Sequence, residues 1–205
     1  MQKPITNIFF ILAFLLLFPM TAFSAADPLA SEKAKSTLNY ISGLSSLSAN
    51  KVVSGQFSGG QHYISSECTD VFNLTGYWPG MIGVNYSPIY GGSESDFTQI
   101  NNLIINYSNS GGLVHIFMHS RNPVTNKFFN SDGSKDTTNV DFVQLVTNGS
   151  ALNTAWKKEL DRVAVGLSQL RDNNVVVLFR PFHEMNGSWF WWGAKDYTQF
   201  KNAWI

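Results

Sequence analysis

Val175-Val176-Val177-Leu178-Phe179 sets five consecutive apolar residues, three of them β-branched, after the turn-like Arg171-Asp172-Asn173-Asn174. An uninterrupted run of this kind is how a strand buried on both faces of a parallel sheet reads. The run gives way to Arg180 and stops at Pro181. Within the next dozen positions come His183, Glu184, Asn186 and the aromatic cluster Trp189-Phe190-Trp191-Trp192. Polar chemistry and flat, sugar-sized surfaces thus gather where the strand ends, and in parallel α/β folds that end of the sheet carries function.

The rest of the chain repeats the alternation. Ser31 to Leu47 spaces Ala34, Leu38, Ile41, Leu44 and Leu47 at helical intervals, with Ser31 as N-cap. Lys51 to Phe57 reads as a short strand, followed by Ser58-Gly59-Gly60 and a weakly patterned helix over 61–74. Gly80 to Tyr86 is a second strand, leading to a loop with Pro88 and Gly91-Gly92. Phe97, Ile100, Leu103, Ile104 and Tyr107 define one face of a helix capped by Ser93, with Glu94 and Asp96 in its first turn. Leu113 to His119 is a third strand, and a polar loop then runs from Ser120 to about Ser150; loops of that length are functional or disordered. Leu152, Ala155, Trp156, Leu160, Val163, Leu167 and Leu170 mark a helix over 151–171. After the fourth strand, Asp196-Tyr197-Thr198-Gln199 resembles a capping box. Four strands alternating with helices indicate parallel βαβ units, which right-handed crossovers curl toward a barrel.

The segment Arg180-Pro181-Phe182-His183-Glu184-Met185-Asn186-Gly187-Ser188-Trp189-Phe190-Trp191-Trp192-Gly193 resembles the acid/base segment of glycoside hydrolase family 26, whose best-known members are endo-β-1,4-mannanases. The resemblance implies an α/β fold, a (β/α)8 TIM barrel, of which these residues supply about the first four βα units. It also implies a retaining mechanism, with the acid/base glutamate at the end of strand four and the nucleophile glutamate at the end of strand seven. Glu184 fits the first role. No glutamate follows it, so the nucleophile is expected beyond Ile205, and residues 27–205 are expected to be the N-terminal half of a catalytic barrel, inactive alone. An isolated half-barrel would leave open edges on its first and fourth strands and expose an apolar face.

The same resemblance gives His183 and His119 roles in binding and orienting the sugar or the carboxylates, and places Trp189 beside the acid in the cleft. Trp192 adds a second stacking face. If strand alternation persists past the proline, Arg180, Phe182 and Glu184 point the same way, so that Arg180 orients and charge-balances the carboxylates. A site behind Phe182 and among tryptophans would favour the protonated form of Glu184 that an acid catalyst needs. Asn186, Tyr86 and Asn122 are weaker candidates for contacts to sugar hydroxyls. Members acting on β-1,3-xylan or mixed-linkage β-glucan share these features, as would a non-catalytic polysaccharide-binding relative. A second glutamate after a later strand-like run separates the last of these from an enzyme.

Other chemistry is disfavoured. Lys and Arg number 14 against 14 Asp and Glu, so no basic patch points to nucleic acid. His115 and His119 are four apart, which suits zinc on a helix, but on a strand that spacing separates them by roughly 13 Å. No metal or cofactor is expected, and phosphate-cradling, dinucleotide and G-x-S-x-G patterns are absent. Residues 1–26 carry Lys3, the apolar run Ile8 to Phe18, then Pro19 and small residues, the pattern of a signal peptide. The run is too short to span a bilayer. The mature protein is therefore expected to be a soluble monomer in the periplasm or the medium, with a mannan-type polysaccharide as its partner. Cys68 is the single cysteine, so no internal disulfide forms.

Overall fold

The computed structural model of the protein describes residues 27–46, 52–58, 64–87 and 97–204. The expected signal peptide lies outside them, as do the Ser93 cap with Glu94 and Asp96, and the loop glycines 59, 60, 91 and 92. The chain divides into two compact units, residues 1–45 and 46–205. The first contains helix α1 (Glu32–Gly43), capped by Ser31, whose side chain accepts from the Ala34 amide at 3.2 Å. Ala34, Leu38 and Ile41 form its half-buried stripe, and a 3₁₀ turn, Leu44–Ser46, follows it; the expected Leu47 lies outside the described residues.

The second unit runs β1 (Gly55–Phe57), α2 (Ile64–Thr75), β2 (Met81–Asn85), α3 (Thr98–Asn109), β3 (Leu113–Phe117), α4 (Phe142–Val146), α5 (Ala151–Asp172), β4 (Val177–Arg180) and α6 (Tyr197–Asn202). The four strands are parallel and ordered β1-β2-β3-β4. A sheet whose strands follow chain order, with helices between them, is that of the first βα units of a barrel. The strand period of two sorts the side chains. Ile82, Val84, Val114 and Ile116 are buried in a core with Ile100 and Ile104 of α3 and Trp156, Val163 and Leu170 of α5. Phe57, His115 and Phe117 form a second set, with Phe57 centred 5.8 Å from His115 and 5.3 Å from Phe117.

Two expectations change. β4 begins at Val177, and Val177, Leu178 and Phe179 are half-buried rather than enclosed on both faces, because among the described strands β4 pairs with β3 alone. The long loop also contains α4, capped by Asp141, whose side chain accepts from the amides of Val143 and Gln144. Five residues are too few to show a periodicity, yet α4 buries Phe142 and Leu145.

Helix α5 packs closely on α3 and the end of β2. Phe97 stacks on Tyr86 at 4.4 Å, and the Tyr86 hydroxyl donates to Asn101, whose amide in turn donates to the Gly166 carbonyl at 3.0 Å. A Cβ at Gly166 would lie 2.7 Å from the Phe97 ring and 2.8 Å from that of Tyr86. Both rings are fully enclosed, so they cannot move aside. Gly166→Ala gains about 1 kcal/mol of helix propensity but overpacks the junction by about 1–3 kcal/mol. The expected net result is a lower denaturation midpoint than wild type, and a midpoint raised by the substitution would refute this packing.

Candidate active site

All four strands run the same way, so the residues that follow β2, β3 and β4 collect at one end of the sheet. The turn after β2 is tied to β3: the Tyr86 amide donates to the Phe117 carbonyl at 2.8 Å, and the Ser87 hydroxyl to the His119 carbonyl at 3.3 Å. Asn85, the last residue of β2, brings its Nδ2 to 3.0 Å from His119 Nδ1. His119 Nε2 lies 3.2 Å from His183 Nε2. The two imidazoles meet edge to face at 4.5 Å and share the Phe190 ring, 5.3 Å from His119 and 4.8 Å from His183. Of the sequence candidates, His119, His183, Glu184 and Trp189 come together here. Asn85 was not foreseen; its only signal is that an amide closes an otherwise apolar strand.

Both histidines are held neutral. Burial lowers the His119 pKa from 6.5 to about 4, with His183 and Lys135 adding to the effect and Glu184 opposing it. Burial likewise lowers His183 to about 4; Glu184 opposes this, while Arg180, Lys135 and His115 add to it. The unfolded chain, with histidines near 6.5, takes up protons before the folded one does. Stability from this pair is therefore complete above about pH 6.5 and is lost as pH falls toward 4. Thermal midpoints measured from pH 7 down to 5 should fall, and the fall should be shallower in a His119→Gln/His183→Gln double variant. Equal slopes would contradict the shared burial.

Strand alternation does not continue through Pro181. The strand ends at Arg180 and the chain turns, so Phe182 is buried while Arg180 and Glu184 are exposed. The alignment expected for Arg180, Phe182 and Glu184 is thereby corrected, and the described residues by themselves leave Glu184 exposed. Arg180 acts at a distance, opposing protonation of His183 and His115. Glu184 takes φ 52°, a left-handed conformation that costs a non-glycine residue of order 1 kcal/mol. Its Oε2 accepts from Trp189 Nε1 at 2.7 Å. The carboxyl is thus aimed by an indole.

The aromatic cluster divides into two roles. Trp189 is 46% exposed and offers a face beside Glu184. Trp192 is 1% exposed, stacks on Phe190 at 4.3 Å and donates Nε1–H to the His183 carbonyl at 2.8 Å. It buttresses His183, and the expected stacking face at Trp192 is corrected accordingly. Trp191 is likewise buried and donates to the Ser120 carbonyl at 3.1 Å. Tyr86 and Asn122 are also interior, Asn122 holding the long loop by donating to the Thr138 carbonyl at 2.7 Å. Asn186 stands exposed in the turn after Glu184.

The long loop completes the surroundings. Lys135 sets Nζ 4.2 Å from the Phe190 ring centre, and a recess of about 190 Å³ opens among His119, Ser120, Lys135, Asp136 and Phe190. Lys195 fastens the loop by donating to Asn139 Oδ1 at 2.7 Å. Nothing in the loop sequence marks Lys135, since a lone lysine among polar residues has no pattern. Two imidazoles, an exposed carboxyl and an exposed indole at one sheet end suit proton transfer to and from a ligand with hydroxyl groups and an apolar face.

Residues 26–204 match the family described as Glycosyl hydrolase family 26. The "Mannan endo-1,4-beta-mannosidase A and B" of Caldalkalibacillus mannanilyticus is 34% identical over 97% of the chain and 41% of its own length. The "Mannan endo-1,4-beta-mannosidase" of Bacillus subtilis is 30% identical over 87% of the chain and 50% of its own length. The crystal structure of the YdhT protein from Bacillus subtilis superposes with a TM-score of 0.74 at 26% identity, covering 88% of this chain and 57% of that one. The chain spans about half the length of the curated relatives that it matches.

Proposed function

The chain belongs to glycosyl hydrolase family 26, and from that premise we propose that the protein carrying it is an exported retaining hydrolase of β-1,4-mannans, with Glu184 as its acid/base. One observation carries this reading: the Glu184 carboxyl stands exposed at the end of β4, with one oxygen held at 2.7 Å by the exposed Trp189. Protonated Glu184 gives its proton to the leaving glycosidic oxygen while a second carboxylate, about 5–5.5 Å away, attacks the anomeric carbon. Ionised Glu184 then takes a proton from the water that releases the sugar, returning the enzyme to its starting state. His119, His183 and Asn186 contact the sugar, and Trp189 stacks against it.

The second carboxylate comes from a segment outside these residues. Of the other glutamates, Glu159 is paired with Arg162, Glu67 with Gln56 and Glu32 with Lys35, while Glu94 lies outside the described residues. Export rests on the signal-peptide pattern of residues 1–26, and the mature protein acts as a monomer. Product release by the full-length protein from mannan, β-1,3-xylan and mixed-linkage glucan tests the substrate. Release from mannan alone is expected. Release from either other polymer instead reassigns the substrate, and binding without cleavage makes the protein a lectin.

A further inference from the structure

A second group of exposed aromatic side chains stands at the other end of the sheet. In the connection from α2 to β2, Tyr77 is 79% exposed and Trp78 56%. We propose that the groove between α2 and α3, walled by Trp78, is a second binding site for the neutral polysaccharide, one that holds the polymer without cleaving it. Pro79 and Gly112 line this groove and precede β2 and β3, whereas Asn85, His119 and Glu184 lie at or beyond the far ends of β2, β3 and β4. The five residues of β2 span about 17 Å, so the length of the sheet separates the groove from the acid. A polymer seated there would keep the protein on its substrate while the cleft stays free.

The groove has a volume of about 470 Å³, and its walls are fixed. The Trp78 ring stacks on Phe72 of α2, with centres 4.6 Å apart and planes 19° apart. The Tyr107 hydroxyl of α3 donates to the Pro79 carbonyl, which ties the opposite wall to the Trp78 connection. A Cβ at Gly112 would lie 1.9 Å from the Tyr107 ring, so only glycine admits the ring there. Walls set in advance spare a ligand the cost of ordering them. Their chemistry selects the occupant. Trp78, Leu103 and Tyr107 offer apolar surface, Thr69, Asn106 and Ser110 offer hydroxyls and an amide, and none of the described lining residues carries a charge. A sugar ring, with an apolar C–H face and a rim of uncharged hydroxyls, matches that combination. Nine described residues line the groove, whereas a stable protein–protein interface takes about 20–30 a side. Further strands of a barrel join at the β1 and β4 edges, so a groove between the helices that follow β1 and β2 is not theirs to fill. That the polymer is a mannan rests on the proposed function.

The test is the ¹⁹F spectrum of the full-length Glu184→Gln protein carrying 5-fluorotryptophan, titrated with β-1,4-linked mannohexaose, with the Trp78 and Trp189 signals assigned from their Phe variants. Both signals are expected to shift, that of Trp78 saturating at its own concentration and not at that of Trp189. Thr69→Glu puts into the groove a charge that the sugar would have to desolvate. It should weaken the Trp78 titration by about tenfold or more and leave the Trp189 titration unchanged. A Trp78 signal that stays still up to the solubility limit of the sugar overturns the inference. So does a Trp78 shift that tracks Trp189 point for point and ignores Thr69→Glu, which would be one site felt at a distance. A Trp78 shift produced by raising the protein concentration, with none from the sugar, overturns it by making the groove an interface between copies. If the Trp189 signal stays still while that of Trp78 moves, the proposed cleft fails and the groove stands, so the two failures are distinct.

Discussion

Replacing Glu184 by Gln in the full-length protein is expected to lower kcat on mannan by about 10²–10⁴-fold, the range that a positioned acid/base supplies. The amide has the shape of the carboxyl and an oxygen that still accepts from Trp189 Nε1, so the turn should keep its form and KM should change little. What is lost is the transferable proton. A sugar alkoxide is a poor leaving group and depends on that proton, whereas a phenolate of low basicity departs without it. Cleavage of a nitrophenyl mannoside should therefore lose much less in its first step, and a pre-steady-state burst of phenolate should appear because the water step still lacks its base. Steady-state and burst kinetics on both substrates make the check. Equal losses on mannan and the aryl mannoside would point to a collapsed site, and an unchanged rate on mannan would remove Glu184 from the chemistry.

Glu159→Ala is expected to cost about 3–5 kcal/mol of stability, the usual penalty when one member of a buried ion pair is removed. The Arg162 and Glu159 side chains are 10% and 8% exposed. Arg162 grips both carboxylate oxygens, Nη2 to Oε1 at 2.9 Å and Nε to Oε2 at 3.2 Å, and also donates to the Tyr86 carbonyl at 3.0 Å. Without Glu159 the guanidinium stays buried against Phe97, its carbon 5.6 Å from the ring centre, and loses the carboxylate that takes two of its N–H groups. Replacing both members, as Glu159→Leu/Arg162→Met, removes the buried charge itself, at a cost of about 1 kcal/mol for each neutral bond given up, that to the Tyr86 carbonyl among them, and is expected to cost less than the single change. Denaturant titrations of the single and double variants separate the cases. A single variant no less stable than the double would mean that the pair is solvated and of little weight.

What could be read in advance depended on whether a residue's surroundings are local in sequence. α5 and the alternation around β3 were legible because apolar spacing reports one buried face, and the caps Ser31 and Asp196 because their partners lie within three residues. The positions of His119 and Glu184 followed from their place just beyond apolar runs. Exposure within the aromatic cluster was not legible. Trp189 and Trp192 are the same residue three positions apart, and only the path of the turn after Pro181 makes one a surface and the other a buttress. Asn85 and Lys135 escaped notice for a related reason: each acquires its meaning from a residue on another element, 34 positions away in the case of Asn85 and His119.

The turn that carries Glu184 is closed on itself. The Gly187 amide donates to the Glu184 carbonyl at 3.1 Å, the Gly193 amide to that of Phe190 at 3.0 Å, and the Ala194 amide to that of Met185 at 2.9 Å. A Cβ at Gly193 would sit 1.9 Å from the Gly187 carbonyl oxygen, so the two limbs touch backbone to backbone. Met185, Asn186 and Ser188 face outward from this knot, while Phe190, Trp191 and Trp192 root it in the core. Loop exchange is therefore divided by nature into two classes. The outward trio forms an exchangeable cassette through which selection or design can retune polymer preference with the proton-transfer geometry left in place. The root and its glycines tolerate no such traffic, and diversity in a library built here should be spent on the rim.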